Sequence, residues 1–174
     1  MFKKPIFCGL VSGSLKAGVV EYSYQFYNDG GNYSEISPST KLISIHKGNA
    51  SNASGYPKDT ITNRGVSLKF DLSENDNFDS LRIYRIMYTE SGQLPTIEVI
   101  YENKLPDTDV FSFIDAGQKA ITTLTLEEYN SATGIHIIPR TIESKDDYMF
   151  ASNIKTDARL DSYDVIRNWD SRAF

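Results

Sequence analysis

Residues 81–88 carry apolar or aromatic side chains on both faces, with Leu81, Ile83 and Met87 on one and Tyr84, Ile86 and Tyr88 on the other. A strand with that pattern belongs inside a sheet covered on both sides, so this stretch is predicted to be the central strand. The neighbouring patterns are half-buried. Val20, Tyr22, Tyr24 and Phe26 alternate with Glu21, Ser23 and Gln25, and Val66, Leu68, Phe70 and Leu72 alternate with Ser67, Lys69 and Asp71. Ile97, Val99 and Tyr101 alternate with Glu98 and lead to Glu102, which reads as an edge-like strand with its charges outward. A short strand over residues 110–114 is stopped by Asp115 and Gly117.

The connections carry turn chemistry. Asn28, Asp29, Gly30, Gly31 and Asn32 supply the positive φ angles of a hairpin. The return strand begins over 34–37, bends at Pro38 and completes over 42–45. Residues 47–63 are rich in Gly, Ser, Asn and Thr and read as a long exposed loop. Residues 73–80 form an acidic turn, with Phe78 predicted to plug the end of the sandwich. Counted as a calcium loop from Asp71, this turn has Asp76 where Gly is needed and Arg82 where Glu is needed. About six strands at this spacing within residues 18–117 indicate an all-β fold, an antiparallel β-sandwich.

The texture changes at residue 118. Thr125 and Glu128 make a capping box that starts the one short helix expected. Residues 135–138 are apolar, and 148–154 are strand-like. The chain thus divides into an N-terminal segment (1–17), the sandwich (18–117) and a mostly irregular extension (118–174) that reads as part of a further module. Tyr148, Phe150, Tyr163, Trp169 and Phe174 are the candidate interface residues of that extension, because a solvated tail rarely ends in Trp and Phe.

Composition narrows the function. Aromatics make up 12% of the 174 residues, with eleven Tyr to one Trp, a bias that suits half-buried sheet faces and protein interfaces. A net charge of −5 with scattered basic residues argues against broad nucleic-acid binding. No apolar run is long enough to span a membrane, and Pro5 and Gly9 interrupt the apolar N-terminus too early for an export signal. The single Cys8 excludes an intramolecular disulfide and is expected to be a buried small hydrophobe in a chain made in a reducing cytoplasm.

No chemistry-bearing constellation stands out. His46 and His136 lie far apart without ligand-spaced neighbours, and Ser12 and Ser14 do not form a nucleophile elbow. Asp76, Asp79, Asp107, Asp109 and Asp115 sit in turns where Asp serves the backbone. The expectation is a non-enzymatic protein with no cofactor and no metal. An alternative is a carbohydrate-binding or adhesive module on a bacterial surface, with Tyr56 or Tyr101 as an aromatic platform.

Residues 18–38, from Gly18 through Tyr22 and Tyr24 to Pro38, resemble the late F–G hairpin of a fibronectin type III module. Phe78 to Arg85, and onward to Phe113, Asp115 and Gly117, resemble its B, C, C′ and E strands, so the hairpin comes first in this chain. The same motifs, followed by Ile138 to Lys155 and by Trp169 to Phe174, resemble the large tail proteins of crAss-like bacteriophages, the muzzle or "stabilization" class. The resemblance covers about residues 9–174, and the members of that class are much longer. It implies a fibronectin type III/Ig-like sandwich in a structural protein of a short-tailed phage virion, made in the host cytoplasm. The partners it implies are copies of the chain itself, as a homo-oligomer, and other tail proteins.

Overall fold

The computed structural model describes residues 2–48, 56–57, 59–73, 75 and 78–133, together with the backbone of 137–138, 141–145, 148–152 and 155–156. The chain divides into two compact units, Met1–Thr133 and Gly134–Phe174. The first contains strands β1 (Ile6–Ser12), β2 (Gly18–Tyr27), β3 (Ile43–Ile45), β4 (Arg64–Asp71), β5 (Ser80–Tyr88), β6 (Thr96–Lys104), β7 (Val110–Asp115) and β8 (Thr122–Leu124), then helix α1 (Leu126–Ala132). These strands form two antiparallel sheets, one in the order β1-β4-β7 and one in the order β3-β2-β5-β6-β8. The fold is an all-β sandwich.

β5 lies in the middle of the five-stranded sheet, and both of its faces are covered. Leu81, Ile83 and Met87 join Val20, Tyr22, Tyr24 and Phe26 of β2 and Val66, Leu68 and Phe70 of β4 in the core between the sheets. Burying each of these apolar side chains contributes about 1.5–3 kcal/mol. Tyr84 and Ile86 point the other way, into a second cluster with Ile36, Ile97, Val99 and Tyr129 of α1. Phe78 closes one end of the sandwich, its ring stacked on Phe26 at 6.2 Å.

The return from β2 is not an ordinary strand until β3. Ser34, Ser37 and Thr40 donate their backbone N–H groups to the carbonyls of Phe26, Tyr24 and Tyr22 at 2.8–2.9 Å. Their hydroxyls accept hydrogen bonds from the N–H groups of the same three β2 residues at 3.0–3.1 Å. Every third residue therefore supplies both halves of a ladder step. Pro38, which lacks an N–H, sits between bonding positions at no cost. The edge of β2 is thereby covered.

Four local expectations need correcting. The sequence pattern predicts no strand in the N-terminal segment, yet β1 pairs with β4 along its length. Cys8 is exposed rather than buried, because it falls at the bulge between Phe7 and Gly9, where one residue of β1 has no partner across the pair. β6 is not an edge in its first half, since β8 pairs with Ile97, Glu98 and Val99. The stretch 47–63 is not all solvated loop: Thr60 and Thr62 are stitched to Leu15 and Ala17 by backbone hydrogen bonds of 2.7–2.8 Å, and Thr62 is buried. The predicted helix forms with its capping box, Thr125 and Glu128 bonding reciprocally.

In the second unit, β10 (Thr141–Lys145) pairs antiparallel with β11 (Tyr148–Ser152), and β9 (Ile137–Ile138) with β12 (Lys155–Thr156). The extension predicted to be mostly irregular thus contributes strands of its own.

Candidate functional site

Three stretches far apart in sequence meet inside the sandwich. The alternation of β2 sends Tyr22 inward, that of β5 sends Arg85 inward, and Asp115 ends β7. Asp115 is fully buried. Arg85 Nη1 donates to its two carboxylate oxygens at 2.9 and 3.0 Å, and Tyr22 Oη donates to Oδ2 at 2.9 Å. The backbone N–H of Gly117 donates to Oδ1 at 2.9 Å. The rest of the guanidinium is engaged as well, with Nε donating to Glu98 at 2.8 Å and Nη2 to the Gln118 carbonyl at 3.2 Å. Burial works against the Arg85 cation, but Asp115 and Glu98 outweigh it and hold its pKa above the ordinary value. Burial first, and then the Asp115 charge, push the Tyr22 phenol well up, so it stays a hydrogen-bond donor.

Two glycines permit close backbone approaches, and the second of them is a donor to Asp115. Gly18, at φ +151°, approaches the Tyr88 carbonyl so closely that a Cβ would collide with it. Gly117, at φ +88°, leaves no room for a Cβ beside Ser14 and Leu15. A groove of ≈ 560 Å³ reaches down to Arg85 between Lys16, Asp59, Glu98 and Thr96. The charges at its floor are already paired with each other, and the hub ties β2, β5 and β7 together across the two sheets. Among the described residues no group of three or more His, Cys, Asp or Glu side chains could hold a metal ion. No helix among them is long and apolar enough to cross a membrane.

On the outer face of the five-stranded sheet, tyrosine hydroxyls find short polar partners. Tyr84 Oη donates to Gln25 at 2.6 Å and Tyr88 Oη to Glu21 at 2.7 Å. Tyr129 Oη and Ser23 Oγ lie 2.8 Å apart. Burial pushes the Tyr129 phenol up to about 12. Toward the end of the same sheet, the rings of Tyr27 and Tyr33 stack at 6.0 Å, and the Arg82 guanidinium lies 5.3 and 5.4 Å from their centres. Arg82 also pairs with Glu102.

The candidate residues chosen from sequence are placed as follows. Tyr148 and Phe150 lie on β11, in register with Lys145 and Glu143 of β10. Tyr163, Trp169 and Phe174 lie outside the described residues, as does His136. His46 follows β3 and bonds through Nδ1 to the Gly48 carbonyl at 2.9 Å. Tyr101 is not an open platform, because its ring is packed by Phe111 at 5.3 Å and Phe113 at 5.4 Å. Tyr56 donates its hydroxyl to the Lys47 carbonyl. Asp115 serves the turn as its sequence position predicts, accepting from the Gly117 amide, but it is also the buried counter-charge of Arg85. The signal that could have found it was the presence of one buried-pattern arginine on an otherwise apolar strand face, which demands a carboxylate somewhere.

The chain matches the family described as Crassvirus muzzle protein over residues 1–174. It is also similar to the muzzle protein of Bacteroides phage crAss001, with 28% identity over 144 residues. That alignment covers 82% of this chain and 10% of the relative, so the chain spans about a tenth of the length of the protein it matches.

Proposed function

The chain belongs to the Crassvirus muzzle protein family, and on that premise we propose that it is a non-enzymatic structural part of a phage virion. It sits in the tail and works through protein–protein contacts with copies of itself and with other tail proteins. The observation that carries this reading is the family match over every residue of the chain. The geometry supports it: the buried ion pair of the sandwich joins its sheets. The chain is made in the host cytoplasm and acts in the virion, and Tyr148, Phe150, Tyr163, Trp169 and Phe174 contribute contacts from its second unit.

A fibronectin type III-like arrangement is part of this reading. With β1 taken as A, β4 as B, β7 as E, β5 as C, β2 as F and β3 as G, the neighbours are A-B-E in one sheet and C-F-G in the other. The hairpin that normally comes last is then inserted between A and B.

The test is peptide mass spectrometry and antibody labelling of purified virions. The expected result is this chain at the tail in fixed stoichiometry; its absence from virions would sink the proposal. One observation favours a second reading, a glycan-binding surface: the Tyr33 ring is exposed and stacked on Tyr27, with the guanidinium of Arg82, itself paired with Glu102, 5.4 Å from its centre. Saturable sugar binding on a glycan array, lost in Tyr33→Ala, would establish that reading instead.

A further inference from the structure

The large apolar side chains that remain exposed are not scattered. Nine are exposed among the described residues, and six of them fall on two opposite sides of the sandwich. Ile6 and Phe7 of β1 and Leu42, just ahead of β3, lie where the two sheets end in β1 and β3. Val110 and Ile114 of β7 and Ile121, just ahead of β8, lie where the sheets end in β7 and β8. These six side chains are between 43% and 59% exposed. The first side also holds an apolar groove of ≈ 510 Å³, lined by Ile6, Phe7, Leu10, Leu42 and Ile43.

The charges at the ends where β1 and β7 begin are opposite, although Lys119 is exposed farther along the second side. Lys4 and Lys41 edge the groove, and no acidic residue lines it. Asp107 and Asp109 are exposed in the turn that leads into β7. β1 and β7 both pair antiparallel with β4 and so run parallel to each other. Their starts lie at the same end, since Lys3 bonds Asp71 at 2.7 Å and Asp71 is in register with Val110. A second copy moved sideways without turning over therefore brings its Asp107 and Asp109 level with Lys4. The bulge at Cys8 and Pro5 ahead of β1 blunt that edge against unselective pairing, so a partner has to match in shape and charge.

We propose that the β1/β3 side of one copy receives the β7/β8 side of the next. β7 of the second copy adds as a parallel strand beside β1, and apolar side chains from its side fill the groove. The contact is heterologous, with different surfaces on the two partners, so it builds rings where the rotation closes and open arrays where it does not. This deepens the structural reading above and rests on it.

Sedimentation velocity of the 174-residue chain over a range of concentrations tests the contact. The unmodified chain is expected to form species larger than a dimer as concentration rises. Lys4→Glu with Ile6→Glu blocks one side, and Asp109→Lys with Ile114→Lys blocks the other. Each double variant alone is expected to stay monomeric. An equimolar mixture of the two is expected to give a dimer and nothing larger, because each keeps the side that the other has lost. An unmodified chain that is monomeric throughout, or a mixture that does not pair, would overturn the inference. If the chain is monomeric yet present in virions, the side-to-side contact fails and the virion role stands. If it self-associates but is absent from virions, the contact stands and the virion role fails.

Discussion

On the inner face of the five-stranded sheet, Val20, Phe26, Leu81 and Ile83 are fully buried against a second sheet. On its outer face, Tyr84 and Ile86 are covered by the seven-residue helix α1 and by the Ser34–Ser37–Thr40 ladder. The two covers differ in thickness, and the polar chemistry beneath them differs accordingly. Under a full sheet, Asp115 is wholly buried and Arg85 nearly so, so their charges must satisfy one another. Under a single short helix, tyrosine rings extend far enough for their hydroxyls to meet Gln25, Glu21 and Ser23. A helix this short is not stable by itself; it persists because Tyr129 is anchored in the cluster. The inner face should therefore behave as one cooperative unit, and the outer face as a set of local attachments.

The largest expected effect tests the inner face. Asp115→Ala leaves Arg85 buried beside a missing partner and should destabilise the first unit by about 3–5 kcal/mol, measured by urea denaturation. Replacing both partners with apolar residues, Arg85→Met with Asp115→Leu, should recover part of that loss: no fully buried charge is left alone and Glu98 keeps access to water, but the Tyr22 hydroxyl and the Gly117 amide lose their acceptor. A loss below about 1 kcal/mol from Asp115→Ala, the range of an exposed ion pair, would show that the hub does not hold the sheets together.

This hub was only half legible in the sequence. β5 could be read as central because both of its faces are apolar, and α1 because Thr125 and Glu128 stand at capping-box spacing. That Arg85 meets Asp115, thirty positions away, depends on strand pairing across the sandwich, which no local pattern encodes. The repeat of Ser34, Ser37 and Thr40 has a period of three, which matches neither strand nor helix, so its ladder role was invisible. β1 was hidden by its bulge, which breaks the alternation at Cys8. β8 was hidden because it is three residues long and two of them are Thr. Of the five candidate interface residues, Tyr148 and Phe150 sit on a described strand; their role as contacts stays a proposal that virion labelling can test.

Smaller effects should separate the attachments of the outer cover. Ser37→Ala removes the acceptor for the buried Tyr24 N–H and should cost about 1–3 kcal/mol, with faster hydrogen exchange at the amides of 22, 24 and 26. If the ladder were incidental, those three amides would exchange as in the parent. Thr125→Ala removes the helix cap and should cost about 0.5–2 kcal/mol. Exchange in that variant should quicken in α1 alone, leaving the β4 and β5 amides unchanged; a change reaching β4 would mean that the two faces are coupled.

The subtlest effect is a pH dependence confined to the outer face. Glu21 is buried there, and its Oε1 accepts from Tyr88 at 2.7 Å. Burial raises its pKa above the ordinary 4.5, only partly offset by hydrogen bonds from Tyr88 and Ser39. The folded state thus holds the proton to higher pH than the unfolded state does. Below the ordinary value both states are protonated, and Glu21 costs nothing. As pH rises from there through the raised folded value, stability falls, and it levels off once the buried carboxylate is charged. Glu21→Gln keeps the acceptor for Tyr88 and removes the titration. The variant should therefore unfold at higher urea than the parent at pH 7, and the two midpoints should converge as pH drops below about 4.5. A gap that is constant across that range would place the effect in packing rather than in the charge.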